Sequence, residues 1–268
     1  MSDTKHYSWS AINRFGVQFI GFLGNILIAR QLTPDDYGLV AMLAIFIGIA
    51  WNFTESGFAD YLIRKKDADK KDFATIFIHN ITIALVLYGL LYFAAPYISY
   101  YFERQELIEI TRVLGLSIMI KAITVTEFTR MSKELMFKNT AIVQIVSSIF
   151  SVVIAYLMAI NGFGYWAIIM QTLSIAILNL VLIVILNKWR PYFYFSWERY
   201  KTMRGFSNNM LLSYFSNQIG NNLYSVFIGK YHSIAGLGFY NQATKINDAS
   251  FQGINAVILT TSYPLLAK

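Results

Sequence analysis

Cysteine is absent from the 268-residue chain, which excludes disulfides, thiolate metal sites and a cysteine nucleophile. Histidine is nearly absent too. His6, His79 and His232 stand apart from one another with no acidic residue at ligand spacing, so neither a metal centre nor a histidine-based catalytic group is expected. No glycine-rich phosphate loop follows a strand pattern, so no nucleotide site and no cofactor are expected. Charged residues make up only 14%, well below the quarter or so usual in soluble domains. The four prolines leave room for long uninterrupted helices. The first apolar stretch carries Arg14 and lacks a small-residue cleavage site, so no secretory signal peptide is expected.

What is present is apolar: 56% of the residues are hydrophobic. A helical crossing of a bilayer needs about 20 mainly apolar residues, and eight stretches approach this, near Ser8–Ala29, Gly38–Ser56, Phe73–Ala95, Leu107–Phe128, Ala141–Ile160, Tyr165–Leu186, Phe206–Gly229 and Phe239–Leu259. The expected fold is an all-α polytopic transmembrane helix bundle of about eight spans. Turns are expected at Thr33-Pro34-Asp35-Asp36, at Pro96, at Asn161-Gly162-Phe163-Gly164 and at Ala235-Gly236-Leu237-Gly238. Spans one, seven and eight are amphipathic, so each has a face unsuited to lipid.

The formal charge of +7 would fit nucleic acid only if the basic residues shared one soluble face. They segregate by side of the membrane instead, and no nucleic-acid partner is expected. With the N-terminus cytoplasmic, that side holds Lys5, Arg64, Lys65, Lys66, Lys70, Lys71, Arg130, Lys133, Lys138, Lys188, Arg190, Arg199, Lys201, Arg204 and Lys268, whereas the other holds Arg30, Arg104 and Lys230. This asymmetry predicts a cytoplasmic N-terminus, with contact to anionic membrane lipids as a secondary role of the basic loops.

A shift of 200 residues pairs Phe15 with Phe215, Ile28 with Ile228, Arg30 with Lys230, Thr33 with Ser233 and Gly38 with Gly238. Each copy is a polar-faced span, a basic residue at its end, a short turn and a glycine opening the next span. Internal repeats of this kind build many transporters. The expected organisation is a six-helix lobe over 1–187, a basic cytoplasmic linker over 188–204, and the first two helices of an incomplete second lobe over 205–268.

Polar residues inside the spans are candidates for a site. Span one places Ser10, Arg14, Gln18, Gly21 and Asn25 on one helical face. A charge at mid-membrane costs about 2.5 to 3.5 kcal/mol on insertion scales, so this face should meet a water-filled cavity or a buried partner; the alternative is an Arg14 that snorkels to the nearby interface. Span seven carries Asn217 and Asn221 among other amides, suited to sugar hydroxyls or equally to gluing helices together. Span eight offers Lys245 and Asp248, three residues apart, which either pair with each other or serve a ligand. Lys121 in span four and Glu55 at the end of span two are either mutual partners or site groups. Glu55 and Asp248 are the candidates for coupling to an ion.

The run Ile28-Ala29-Arg30-Gln31-Leu32-Thr33-Pro34-Asp35-Asp36-Tyr37-Gly38, with Glu55-Ser56-Gly57-Phe58 and Leu62-Ile63-Arg64-Lys65-Lys66, resembles the opening of the polysaccharide biosynthesis flippases of the multidrug/oligosaccharidyl-lipid/polysaccharide exporter superfamily. The resemblance implies two pseudo-symmetric lobes around a cavity lined by spans one, two, seven and eight. It also implies alternating access and a location in the bacterial inner membrane, for export of O-antigen, capsule or exopolysaccharide repeat units. The implied cargo is an oligosaccharide on an undecaprenyl pyrophosphate carrier, with the polysaccharide polymerase and glycosyltransferases of the same route as further partners. On that reading Arg14, Gln18, Asn25, Lys121, Asn217, Asn221 and Lys245 line a cationic cavity, and Arg14 supplies the fork a phosphate accepts. This chain is shorter than such a protein, so it is expected to be a fragment or a truncation. The rivals are a multidrug or cation antiporter of the same superfamily, which would want acidic cavity residues, and a membrane enzyme acting on polyprenyl-linked glycans. The enzyme would want a polar loop with acidic or histidine clusters, whereas the longest loop, Asn187 to Gly205, has only Glu198. No catalytic residue is therefore expected.

Overall fold

The computed structural model describes residues 3–55, 57–188 and 190–247, and among these it is helical with no strand. The helices are α1 (Asp3–Ala29), α2 (Pro34–Glu55), α3 (Phe58–Arg64), α4 (Lys70–Phe102), α5 (Leu107–Lys133), α6 (Phe137–Ile160), α7 (Trp166–Asn187), α8 (Trp197–Tyr231) and α9 (234–247). Five of them, α1, α2 with its continuation through α3, α4, α6 and α7, are long and apolar enough to cross a membrane. Their outward faces are apolar where a soluble protein would be polar: Leu90 is 63% exposed, Phe93 76% and Ile185 64%. Side chains of this type gain nothing from water, and acyl chains are the solvent that suits them.

Antiparallel neighbours pack in hairpins, α4 on α5 and α6 on α7, while α1 lies along α6 and α2 bridges α5 and α8. Glycines set the closeness of the α1–α6 contact. A Cβ at Gly16 would sit 3.1 Å from Ile145, and one at Gly24 would sit 2.5 Å from Val152. Small residues at such crossings let backbones approach in lipid, where dispersion replaces the hydrophobic drive. The main core joins α2, α4, α5 and α7 around Leu43, Ile47, Leu107, Ile110, Ile118 and Ile169, and Leu237 of α9 is fully buried in it. The start of α9 is thereby anchored to α2, α4, α5 and α7.

The α6–α7 hairpin turns as expected through Gly162 and Gly164, whose φ of 79° and 54° are left-handed values that favour glycine. Pro96 is a correction. It sits inside α4, which runs on to Phe102. A proline in a helix forfeits one N–H bond and strains the preceding turn, but membrane helices tolerate it where neighbours compensate. The segment 188–204, read as a linker, divides into an extended stretch and the first two turns of α8, whose N-cap Ser196 accepts from the Arg199 amide at 3.5 Å.

At one end of the bundle buried acids hold basic residues in place. Asp69 and Asp72 form a capping box at the start of α4. Asp72, fully buried, accepts from Lys65 Nζ at 2.6 Å and Arg199 Nη1 at 2.7 Å. Burial alone would raise the Asp69 carboxyl, yet the Asp72 amide and the Arg199 guanidinium outweigh it and hold it below the usual carboxylate range. Its contribution is present above the unfolded value of about 3.9 and is lost as pH falls through the lower folded one.

At the same end, Glu127 of α5 is 1% exposed and takes a two-pronged contact from Arg130, Nη2 to Oε1 at 2.5 Å and Nε to Oε2 at 2.9 Å. Arg130→Met would strand that carboxylate with only a long contact from Asn187 Nδ2 at 3.4 Å. The expected loss is about 3 to 5 kcal/mol. Glu134→Gln, on the exposed side of the same arginine, should cost well under about 1 kcal/mol. Denaturant unfolding in detergent micelles checks both; equal losses would place the stabilising charge elsewhere.

Candidate functional site

The opposite end of the bundle is where the two halves of the proposed repeat meet. Thr33 Oγ1 accepts from the Asp36 amide at 3.3 Å, and Ser233 Oγ accepts from the Gly236 amide at 3.0 Å. These are the same cap at positions 200 residues apart. Beyond the caps the two turns cross reciprocally. A Cβ at Gly38 would overlap the carbonyl oxygen of Ile234, and a Cβ at Gly238 would overlap that of Pro34. Residue 34 thus meets 238 just as residue 234 meets 38, which is what a local two-fold between the α1–α2 and α8–α9 turns requires. Lys230 Nζ closes the same end further, donating to the Tyr101 carbonyl at 2.6 Å and to Glu103 Oε1 at 3.0 Å.

Below this crossing lies a cavity of about 260 Å³ lined by Gln18, Gly21, Phe22, Asn25, Gln171 and Lys245. It lies between α1, α7 and α9. Gln18 precedes the end of α1 by as many residues as Lys245 follows the start of α9, so at 1.5 Å per residue both lie about 16 Å from the closed end. That is half the thickness of a hydrocarbon core of about 30 Å. The period of α1 explains its two roles. Asn13, Gly16 and Gly24 face α6, with Asn13 Nδ2 donating to Gln144 Oε1 at 2.9 Å, whereas the positions between them turn Gln18, Gly21 and Asn25 to the cavity. Arg14 is exposed and lies one turn from Gln18 on that same face, toward the N-terminal end.

Lys245 is the one cation among the cavity-lining residues described, and none of them is acidic. Its Nζ lies 5.1 Å from the ring centroid of Tyr37, within the range where a ring face attracts a cation. Asn25 Nδ2 donates to Gln242 Oε1 at 2.8 Å and so ties α1 to α9. The same glutamine reaches the buried Tyr37 hydroxyl, so Gln242 links Asn25 of α1 to Tyr37 of α2. The cavity offers an anion a point charge and amide donors at about half the depth of a hydrocarbon core.

Of the residues singled out from the sequence, Gln18, Asn25 and Lys245 come together at this cavity, with Arg14 extending their face. Lys121 does not line it. Its Nζ lies 4.7 Å from the Trp51 ring centroid, between α5 and α2. The side chains of Glu55, Asn217 and Asn221 lie outside those described, and Asp248 lies outside the described residues. Next to Asn217 in the chain, Gln218 Oε1 of α8 accepts from Asn52 Nδ2 of α2 at 3.1 Å. Gln171, Gln242 and Tyr37 were missed. Gln171 sits in the most apolar span, where a lone amide reads as helix glue, and Tyr37 lies within a turn motif. Gln242 lies three residues before Lys245 and so on its helical face, a spacing that could have found it.

Comparison with known proteins places these features among relatives. The family described as polysaccharide biosynthesis protein matches residues 27–268. The teichuronic acid biosynthesis protein TuaB of Bacillus subtilis (strain 168) is 28% identical across 100% of this chain and 55% of its own length. The succinoglycan biosynthesis transport protein ExoT of Rhizobium meliloti (strain 1021) is 24% identical across 99% of this chain and 54% of its own. The lipopolysaccharide biosynthesis protein WzxC of Escherichia coli (strain K12) is 18% identical across 97% and 53%. The chain spans about half the length of these relatives. No solved structure matches.

Proposed function

Because this chain belongs to the polysaccharide biosynthesis protein family, we propose that it forms part of a flippase carrying a polyprenyl-pyrophosphate-linked oligosaccharide repeat unit across the bacterial inner membrane. The observation that carries this reading is the mid-depth cavity of Gln18, Asn25 and Lys245, cationic and without a described carboxylate, beneath a two-fold crossing of helix turns. A diphosphate carries the charge that Lys245 and Arg14 lack, and sugar hydroxyls are matched by the surrounding amides. A multidrug or cation antiporter is less well served, since its cargo would meet a lysine where it needs a carboxylate.

The mechanism follows from which end is shut. The segregation of Lys and Arg favours a cytoplasmic N-terminus, so the Gly38–Gly238 crossing lies on the outer side and the cavity is cut off from it. The conformation then corresponds to a cytoplasm-facing state, in which the exposed Arg14 meets the pyrophosphate first and Lys245 receives it at mid-depth. The polyprenyl chain remains in lipid throughout. Release outward requires the crossing to part and α8 and α9 to swing away from α1 and α2. Asn217 and Asn221 would complete the chamber wall, and Glu55 and Asp248 are candidate carboxylates for coupling the movement to an ion gradient. The polymerase and glycosyltransferases of the same route would be its neighbours. The direct test is translocation of a fluorescent lipid-linked oligosaccharide in proteoliposomes. Transfer above that of protein-free vesicles is expected, and equal rates would reject the reading.

A further inference from the structure

The basic and aromatic segment between α7 and α8 is not used by the transport reading. Residues 190–196 run extended across the first two turns of α4, fastened at three points. The Phe193 and Phe77 rings meet edge to face at 5.9 Å, the Ser196 amide donates to Thr75 Oγ1 at 3.3 Å, and Arg199 binds Asp69 and Asp72. Thr75 is five residues into a membrane-spanning helix, about 7 Å along it. The segment is therefore held at the level of the headgroups and the start of the acyl chains, flat against the bundle.

Its free side is apolar and large. Tyr192 is 53% exposed, Phe193 71% and Trp197 56%. The rings are ordered against each other, Tyr192 stacked on Tyr194 at 6.3 Å and Trp197 on Tyr200 at 5.2 Å. Cations stand over them, with Lys71 5.3 Å from the Tyr194 centroid and Lys201 5.9 Å from the Trp197 centroid. Lys188 and Arg190 are exposed at the head of the segment, and Glu198 is an exposed acid beside it. Amphipathic rings and long cationic stems are the two parts an interface selects, the rings for the acyl boundary and the charges for phosphate.

We propose that this segment, with Lys71, is a binding surface for anionic phospholipid headgroups. The rings wedge below the phosphates while Lys71, Lys188, Arg190 and Lys201 engage the phosphodiesters. Cations near an anionic leaflet add attraction residue by residue. The arrangement fixes the extended segment from outside, as Asp69 and Asp72 fix it from within through Arg199.

The chain lacks cysteine, so a single nitroxide can be placed at Phe193→Cys, with a second labelled protein at Tyr192→Cys guarding against a local effect. In phosphatidylglycerol-containing vesicles, power saturation should find both labels more accessible to oxygen than to a water-soluble nickel chelate. The variant Lys71→Gln/Lys188→Gln/Arg190→Gln/Lys201→Gln should retain on the order of tenfold less co-purified phosphatidylglycerol, with phosphatidylcholine unchanged. Labels that both favour the nickel chelate, or phosphatidylglycerol retention unaltered by the four changes, would overturn the proposal. Neither readout depends on cargo transport, so its failure and that of the flippase reading are separable.

Discussion

Lys245→Gln combined with Arg14→Gln is expected to lower translocation by about a hundredfold or more while leaving the protein at least as stable. The two halves of that expectation have one cause. A hydrogen bond to a charged group contributes about 1.5 to 3 kcal/mol, and each 1.4 kcal/mol is tenfold, so losing two such contacts to a pyrophosphate costs two to four decades. The same lysine at mid-depth carries an insertion cost of about 2.5 to 3.5 kcal/mol, which neutralisation relieves. A residue retained only for packing would show the opposite pattern, with less stability and little effect on transport. Lys245→Arg keeps the charge and should retain much of the activity. Transport assays and thermal unfolding on the same preparations distinguish the cases, and unchanged translocation by the double variant would remove the cavity from the mechanism.

Gly38→Val with Gly238→Val should open the crossing of the two turns. Each new Cβ would meet a backbone carbonyl, Ile234 in one case and Pro34 in the other, and a carbonyl inside a helix cannot turn aside as a side chain can. Overpacking typically costs about 1 to 3 kcal/mol per site. Together the two changes should shift the balance between closed and parted turns by roughly thirtyfold to ten-thousandfold. Spin labels at Gln31→Cys and His232→Cys, both exposed on the facing turns, should report one short distance in the parent and a longer, broader one in the double valine variant. Gly89→Ala is the control, since a Cβ there meets nothing within 4 Å. A distance distribution unmoved by the valines would deny the crossing any part in gating.

These residues also mark where sequence reasoning reached its limit. Period-based arguments identified the helical class because lipid demands long apolar segments, and they placed Gln18 and Asn25 on one face because helical spacing is local. The pairing of Thr33 with Ser233 and Gly38 with Gly238 was visible as a weak similarity, and the structure gives it a reason: both members of each pair do the same job at one crossing. The bond from Asn25 to Gln242 was not legible, since 217 positions separate the partners and no local rule links them. Asp72 and Arg199 were hidden likewise, their contact spanning 127 positions. Glu127 was overlooked for a different reason. Three residues before Arg130, it resembles an ordinary surface pair, and only the packing of α5 against Asn187 buries it. Pro96 was misread because the rule for a proline breaker comes from helices in water.

The central claim is that the polar face of α1 and Lys245 of α9 look into one aqueous chamber at mid-membrane. With no native cysteine to confuse the reading, single cysteines at Gln18, Gln171 and Leu23 can be challenged with an anionic, membrane-impermeant thiosulfonate in inside-out vesicles. Fast modification is expected at Gln18 and Gln171, which line the cavity, slowing by on the order of tenfold when Lys245 is neutralised, and none at the outward-facing Leu23. Modification of Leu23 as fast as that of Gln18, or no modification of either cavity position, would contradict it.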